Sequence, residues 1–257
     1  MKQIDVVIIG GSLAGAACAR ELTRRGVEAV AFERDHFPRE KVCGGFLSPG
    51  AVDLLDELGL GEPVRRAGAT TVRSARVRMG KWDLSFDLPG SGMGISRRTL
   101  DAIVADHPAV RHGAVRHVER DGEGFRVRLD KVEISARIVI DAAGKLSRFT
   151  PRRSVPQFGV QFYEPETGGD VLDFWFFDGC YGGAVRVESG RSNACFLVEK
   201  DVLRKLRLEC ARTKNSASRG TGGKIEGCGR TDPLRSLAAR ALPLEGGESQ
   251  VYPFGNR

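Results

Sequence analysis

The sequence predicts an α/β fold that combines a parallel-sheet domain with a domain built on an antiparallel sheet. The first 33 residues contain an apolar strand, a glycine-rich turn, a helix and a second apolar strand, which is the order of a βαβ unit. Residues 72–79 and 82–88 have strand patterns joined by Gly80-Lys81, as in an antiparallel hairpin. Further apolar strand patterns lie between residues 158 and 198. A chain of 257 residues is long enough to form two modest domains.

The N-terminal elements follow from composition and from glycine. Residues 4–9 are a short β-branched apolar run, which is typical of a parallel strand buried on both faces. Residues 13–25 are rich in Ala and Leu and predict a helix, for which Gly26 supplies the C-terminal stop. Residues 27–32 are apolar again and predict the second strand, so this region forms a complete βαβ unit.

The remaining elements follow from periodicity and from clusters of glycine, proline and polar residues. We expect helices at residues 51–58 and from residue 97 or 98, the latter preceded by a Gly/Ser/Pro segment at residues 89–94. We also expect a loop at residues 213–229 and a β-meander at residues 115–119, 125–129 and 134–140. Further strands are predicted at residues 158–163, 171–177 and 184–198, the last bent or split at Gly190. The predicted domains are residues 1–71 with 96–150, residues 72–95 with 151–204, and a basic, partly flexible segment at residues 205–257.

Composition argues against several functional classes. The net charge is +7, but the last 57 residues carry +5 of it, so the excess charge forms a solvated tail rather than a nucleic-acid-binding stripe. No apolar run reaches the ~20 residues that a transmembrane helix needs. The six cysteines are scattered and contain no CxxC pair, which disfavours disulfides and a zinc site. We therefore expect no metal, no nucleic-acid partner and no transmembrane segment, and a cytoplasmic location.

The turn after the first strand has the spacing of the GxGxxG dinucleotide fingerprint, with serine in place of the second glycine. It reads Gly10-Gly11-Ser12-Leu13-Ala14-Gly15. Gly10 permits the tight turn, and Gly15 lets the helix approach the strand closely. A diphosphate would lie against the backbone N–H groups that open the helix, where the Ser12 hydroxyl can donate a hydrogen bond to it.

Glu33 ends the second predicted strand, 18 residues after Gly15. This is close to the spacing at which an acidic residue binds a ribose hydroxyl of the dinucleotide. A carboxylate there also repels a 2′-phosphate, so this site disfavours NADP. The ordinary alternative is a glycine-rich turn with an unrelated surface glutamate, but strand, turn, helix, strand and acid occur here in register.

Three further segments carry a resemblance to a known group of flavoproteins. They are Arg39-Glu40-Lys41-Val42-Cys43-Gly44-Gly45-Phe46-Leu47-Ser48, Ile95-Ser96-Arg97-Arg98-Thr99-Leu100-Asp101 and Ile138-Val139-Ile140-Asp141-Ala142-Ala143-Gly144-Lys145-Leu146-Ser147. With the N-terminal fingerprint, they resemble the superfamily of geranylgeranyl reductases and p-hydroxybenzoate hydroxylase, the group A flavoprotein monooxygenases. The resemblance covers roughly residues 1–200. It implies a Rossmann-like FAD-binding domain with an antiparallel-sheet substrate domain, and FAD as the cofactor.

The resemblance also implies roles for particular residues. Gly10, Ser12 and Gly15, with their neighbours Gly11 and Ala14, would hold the diphosphate. Glu33 and Arg34 would hold the adenosine ribose. Cys43, Gly44 and Gly45 would lie near the isoalloxazine ring, and Arg97 would reach the diphosphate or the ribityl chain. Val115 would meet the adenine through its backbone, and Gly144 would belong to a second cofactor-facing turn.

The chain departs from the family pattern at three places. Ala143-Gly144 stands where the hydroxylases carry Asp-Gly, and the reductases' Tyr-x-Trp-x-Phe-Pro motif is reduced here to Tyr181. The third departure is at the end of the sequence. Family members continue past a segment like residues 251–257 into a Gly-Asp motif that closes the flavin site, so we expect this chain to be truncated.

The predicted function is that of an FAD-dependent oxidoreductase, a monooxygenase or double-bond reductase acting on an apolar or aromatic small molecule. NAD(P)H is a candidate electron donor, and the sequence nominates no catalytic acid or base. One alternative is a non-catalytic FAD- or ADP-binding module that is inactive through truncation. Another is an NAD-dependent dehydrogenase, which the hairpin at residues 72–88 disfavours because it interrupts a standard Rossmann sheet.

Overall fold

The computed structural model describes residues 3–151, 157–165, 169–204 and 250–253. In chain order the strands are β1 (Gln3–Ile9), β2 (Ala29–Glu33), β3 (Phe46–Leu47), β4 (Thr70–Met79), β5 (Trp82–Gly94), β6 (Val110–His112), β7 (His117–Asp121), β8 (Gly124–Arg128), β9 (Glu133–Asp141), β10 (Gln157–Pro165), β11 (Val171–Phe177), β12 (Cys180–Val187), β13 (Arg191–Glu199) and β14 (Gln250–Pro253). The helices are α1 (Leu13–Arg24), α2 (Pro49–Glu57), α3 (Gly61–Arg66) and α4 (Arg97–Ala105), and a 3₁₀ turn spans Gly144–Leu146. In these described residues, no helix combines the length and the apolar character needed to span a bilayer.

The chain divides into two compact units. The first contains the described residues of Met1–Lys41, Ala51–Ala67 and Arg97–Arg153, and the second contains those of Val42–Gly50, Gly68–Ser96 and Ser154–Arg257.

The observed boundaries correct the predicted ones. Residues 42–50 and 68–71 cluster with the second unit, because β3 pairs with β5 and the start of β4 pairs with the end of β5. Residues 250–253, assigned from the sequence to a flexible C-terminal segment, form β14 and pair with β10. The predicted loop at residues 213–229 lies outside the described residues.

The first unit is built on a sheet with the strand order β6-β2-β1-β9-β8-β7. β1 pairs in parallel with β2 and β9, while β8 is antiparallel to β9 and β7. The β-branched side chains of β1 are fully buried at Val7 and Ile8. Burial of such a side chain contributes about 1.5–3 kcal/mol. Ala16 and Ala19 of α1 are fully buried, and their small side chains let the helix pack closely.

The second unit is a sheet with the order β14-β10-β13-β12-β11-β4-β5-β3 among the described residues. Its pairings are antiparallel except for β4 with β11, which run parallel. Alternate residues of each strand point to opposite faces, and each face carries its own apolar cluster. One cluster contains Val160, Phe162 and Phe196, and the other contains Val72, Leu172 and Val185.

The structure refines the predicted elements. The Gly/Ser/Pro segment at residues 89–94 belongs to β5, in which Gly92, Met93 and Gly94 pair with β4 after a register shift at Val72/Ser74, and Met93 and Gly94 pair with β3. The strand pattern at residues 184–198, predicted to be bent or split at Gly190, is split there. Its two strands, β12 and β13, are joined by a turn in which Ser189 and Gly190 have positive φ. The short elements α3 and β6 carry too little periodicity to be found from sequence.

Candidate dinucleotide site

The glycine-rich turn between β1 and α1 is packed so tightly that side chains are excluded. A Cβ at Gly15 would lie 1.8 Å from the carbonyl oxygen of Gly10 and 3.2 Å from Cγ2 of Ile8. Gly10 has φ of +98°, and a Cβ there would lie 2.6 Å from the carbonyl oxygen of Ala142. Gly10 therefore allows the turn to contact the segment that follows β9, and Gly15 allows α1 to cross β1 closely.

The segment after β9 forms the second predicted turn. Its carboxylate anchor is Asp141, which accepts hydrogen bonds from the Ala143 N–H at 3.1 Å and from the Ser147 hydroxyl at 2.5 Å. Gly144 has φ of +68°, and a Cβ there would meet no heavy atom within 4 Å. Backbone conformation rather than space therefore favours glycine at this position.

The N-terminus of α1 is open for an anion. Ser12 is its N-cap residue, but the Ser12 side chain makes no capping hydrogen bond, and the first turn holds no acidic residue. The first N–H groups of any helix have no intrahelical partner, and the helix dipole adds positive potential there. Ala14 is exposed at this end of the helix.

Four side chains form a polar cluster beside this helix end. Asp101 on α4 is fully buried, and its carboxylate receives two hydrogen bonds from the Arg97 guanidinium, at 2.7 and 2.9 Å. The Ser12 hydroxyl donates to Asp101 Oδ2 at 2.5 Å. It accepts from Arg97 Nη2 at 3.0 Å and from Lys41 Nζ at 3.2 Å. Two cations and one carboxylate therefore meet at a single hydroxyl group.

The cluster brings two further residues, Lys41 and Asp101, to the predicted diphosphate position. The Ser12 hydroxyl donates to Asp101, and its contact with a phosphate stays a prediction. Lys41 and Asp101 lie within the family-like segments at residues 39–48 and 95–101, but the sequence pattern indicates no role for either. Two features of the sequence could have indicated them. Lys41 lies within the segment of residues 39–48, and Asp101 follows Arg97 by four residues. A spacing of i and i+4 brings two side chains of a helix together.

Lys41 is held in a partly desolvated position. Burial lowers the pKa of its ammonium group, and the positive charge of Arg97 lowers it further, while Asp101 and Glu33 oppose the shift. An ammonium group under these conditions is stabilised by any additional negative charge.

Glu33 is buried and braces the glycine-rich turn. Its Oε2 accepts the Gly11 N–H at 3.0 Å, and its Oε1 accepts the Asp35 N–H at 3.1 Å. Arg39 lies 3.5 Å from Oε1. Arg34 is exposed and lies 3.6 Å from Asp35. The predicted binding of ribose by Glu33 and Arg34 stays a prediction.

The remaining predicted site residues fall in different parts of the chain. Val115 is half-buried and packs against the cluster that contains Val7 and Val127. The other three are Cys43, Gly44 and Gly45, which belong to the second unit rather than the first. Among the described residues, no group of histidine, cysteine and carboxylate side chains could hold a metal ion.

The residues of the first unit fit a dinucleotide. The glycine turn leaves no room for side chains, and the first N–H groups of the helix have no intrahelical partner. Lys41 and Arg97 supply two positive charges beside them. These are the features that bind a diphosphate.

Comparison with known proteins finds relatives that match parts of this chain. A menaquinone reductase of Mycobacterium tuberculosis is 35% identical over 104 residues, which are 38% of this chain and 24% of that protein. A 3-hydroxybenzoate 6-hydroxylase of Klebsiella oxytoca is 37% identical over 70 residues, which are 27% of this chain and 18% of that protein. The chain thus matches less than a quarter of the length of either relative.

The fold has solved counterparts. The crystal structure of CmlS, a flavin-dependent halogenase, superposes with a TM-score of 0.74 at 19% sequence identity, covering 98% of this chain and 50% of that one. The family described as FAD binding domain matches residues 3–157, which include the glycine turn, the polar cluster and the second turn. The chain therefore belongs to the FAD binding domain family, and its cofactor is FAD.

Proposed function

We propose that the protein is an FAD-dependent oxidoreductase that acts as a monooxygenase or a double-bond reductase on an apolar or aromatic small molecule, with NAD(P)H as electron donor. The observation that carries the proposal is the polar cluster of Ser12, Lys41, Arg97 and Asp101 at the N-terminus of α1. The relatives support an oxidoreductase, since one is named a reductase and another a hydroxylase.

The chain's own residues would divide the binding of FAD among them. Lys41 and Arg97 would hold the diphosphate as charge-assisted hydrogen-bond donors, together with the N–H groups of the first turn of α1. Asp101 would orient Arg97 through its two hydrogen bonds. Glu33 would accept a ribose hydroxyl while it continues to brace Gly11. Bound FAD supplies the electron-transfer chemistry, and the protein supplies placement, electrostatics and exclusion of water.

An aromatic face of the second sheet would bind the substrate. Phe174 and Phe176 on β11 share a face with Tyr181 of β12, and the rings of Phe176 and Tyr181 stack with centroids 6.0 Å apart. Phe176 and Tyr181 remain 40% and 48% exposed, so this face has apolar surface available for a ligand. Flat or greasy molecules are the ligands that such a surface favours.

The test is a titration of the purified chain with FAD, followed by anaerobic addition of NADH or NADPH. An oxidoreductase binds FAD, and its yellow absorbance is bleached by the nicotinamide. A protein that stays yellow with every reductant, dithionite excepted, would instead be the non-catalytic binding module. A protein that binds NADH and not FAD would overturn the proposal.

A further inference from the structure

We propose that the side-chain amides of Gln161 and Asn193 are positioning residues, which fix the loop of Cys43, Gly44 and Gly45 on the second sheet and so set the surroundings of the flavin ring. The proposal rests on the proposed function, and in particular on the prediction that this loop faces the isoalloxazine. The two amides are called the amide pair below.

The amide pair satisfies both backbone groups of one loop residue. Gln161 Oε1 accepts the Cys43 N–H at 3.2 Å, and Asn193 Nδ2 donates to the Cys43 carbonyl oxygen at 2.8 Å. Gln161 Nε2 donates to Asn193 Oδ1 at 3.0 Å, which joins the two amides to each other. The side chains therefore bind Cys43 in the way that a neighbouring β-strand would bind it through its backbone.

Burial makes this arrangement costly to replace. Gln161 is 4% exposed and Asn193 is 0% exposed. A buried amide without partners destabilises a protein, so these two residues require the contacts that they make. Gln161 also donates to the hydroxyl of Tyr163 at 3.1 Å. Apolar side chains at these positions could not make the two hydrogen bonds to Cys43, so the contact with the loop accounts for the amides.

A second constraint acts two residues along the loop. Gly45 has φ of +74°, and a Cβ there would lie 2.7 Å from Asn193 Nδ2 and 3.0 Å from the carbonyl oxygen of Ile95. The Gly45 carbonyl oxygen accepts the Ile95 N–H at 2.8 Å. Asn193 thus contacts the loop at both Cys43 and Gly45.

The residue between the two anchors is left open. Gly44 is exposed, and a Cβ at Gly44 would meet no heavy atom within 4 Å. A short loop held at both flanks presents its middle peptide in one orientation, because the flanking dihedral angles are fixed. The amide pair would therefore determine which backbone group of Gly44 faces a bound ring.

The first experiment measures loop order in the flavin-free protein. Cys43 alkylation by iodoacetamide is followed by peptide mass spectrometry in wild type, Asn193→Leu, Gln161→Met and the double variant. We expect alkylation of Cys43 to rise roughly tenfold in each single variant, with little further rise in the double variant because the pair acts as a unit. Ser192→Ala is the control, since Ser192 is also buried on β13 but points to the other face.

The second experiment measures the flavin. With FAD bound, the single variants should shift the visible absorption maximum and the reduction potential of the flavin, while the FAD dissociation constant changes less than about threefold. An unchanged spectrum and potential would overturn the positioning role, and so would unchanged Cys43 alkylation. Wild-type protein that binds no FAD would refute the proposed function separately, and the alkylation rates would still decide whether the amide pair fixes the loop.

Discussion

The carboxylate of Glu33 accepts a hydrogen bond from the backbone N–H of Gly11, with Oε2 and N 3.0 Å apart. The residue proposed to bind the ribose therefore also fixes the turn that would receive the diphosphate. This contact links the end of β2 to the start of α1 across 22 residues of sequence.

Replacement of Glu33 should weaken FAD binding in a graded way. Glu33→Ala removes the brace on Gly11 and the ribose acceptor, so the FAD dissociation constant should rise by roughly 10- to 100-fold. Glu33→Gln keeps one oxygen acceptor and should lose less affinity. Calorimetry measures both, and equal affinity of all three proteins would exclude a ribose role for Glu33.

Two glycine substitutions separate crowding from backbone strain. Gly15→Ala places a methyl group against the Gly10 carbonyl oxygen and should cost about 3 kcal/mol of unfolding free energy or more. Gly26→Ala is the control, because Gly26 has φ of +77° and no heavy atom within 4 Å of an added Cβ. Gly26→Ala should lower the unfolding free energy by about 1–2 kcal/mol. Urea denaturation measures both values, and a smaller loss for Gly15→Ala would contradict the tight crossing of α1 and β1.

Asp101→Asn should make the stability of the protein more dependent on bound FAD. The substitution leaves the Arg97 guanidinium without its buried counter-ion, which should destabilise the flavin-free protein by about 3 kcal/mol. A bound diphosphate would partly replace that counter-ion, so saturating FAD should raise the melting temperature of the variant more than that of wild type. An equal rise in both proteins would argue that Arg97 does not meet the diphosphate.

Lys41 should make FAD affinity pH-dependent in alkaline solution. Burial and Arg97 lower the pKa of Lys41 in the free protein. A diphosphate beside it would favour the protonated form, so binding should take up a proton and weaken as the pH rises through the lowered pKa. Lys41→Met should have lower affinity and should lose this pH dependence. If FAD affinity depended on pH in the same way in wild type and Lys41→Met, Lys41 would not contact the diphosphate.

Two cysteines should be inert in the native protein. Burial raises the pKa of the Cys180 thiol to about 12, and burial together with the nearby Cys43 raises that of Cys195 to about 12. Because the thiolate is the reactive form, both should resist alkylation from about pH 7 to about pH 10. Both should react after denaturation in guanidinium chloride. Rapid labelling of either thiol in native protein would contradict the packing of β12 and β13.

The sequence was most informative where local pattern decides the structure. The βαβ start and the glycine turn depend on β-branched runs and on glycine spacing, and both are visible within a few residues. Lys41 and Asp101 were missed as site residues because the Ser12 hydroxyl brings them together across 29 and 89 residues. Contacts of that range depend on tertiary packing, which no local pattern encodes.

The same limit explains the errors in the second unit. The glycine and proline residues between 89 and 94 coincide with a register shift in β5, and Gly92, Met93 and Gly94 pair with β4 beyond that shift. Residues 42–50 follow the βαβ unit in sequence and were therefore assigned to it. Gln161 and Asn193, which bind Cys43, lie 118 and 150 residues away in sequence, so the local sequence around Cys43 does not predict these contacts.

The parallel pairing of β4 with β11 affects the order in which this chain can fold. β4 is complete at residue 79, but its partner begins at residue 171, so the hairpin of β4 and β5 leaves the ribosome well before β11 exists. Similarly, β1 can pair with β9 only after more than a hundred further residues have been synthesised. Both sheets must close large loops, which slows folding. Met79, Trp82, Leu84 and Phe86 stay exposed in the finished hairpin, so this hairpin exposes apolar surface that can self-associate during synthesis.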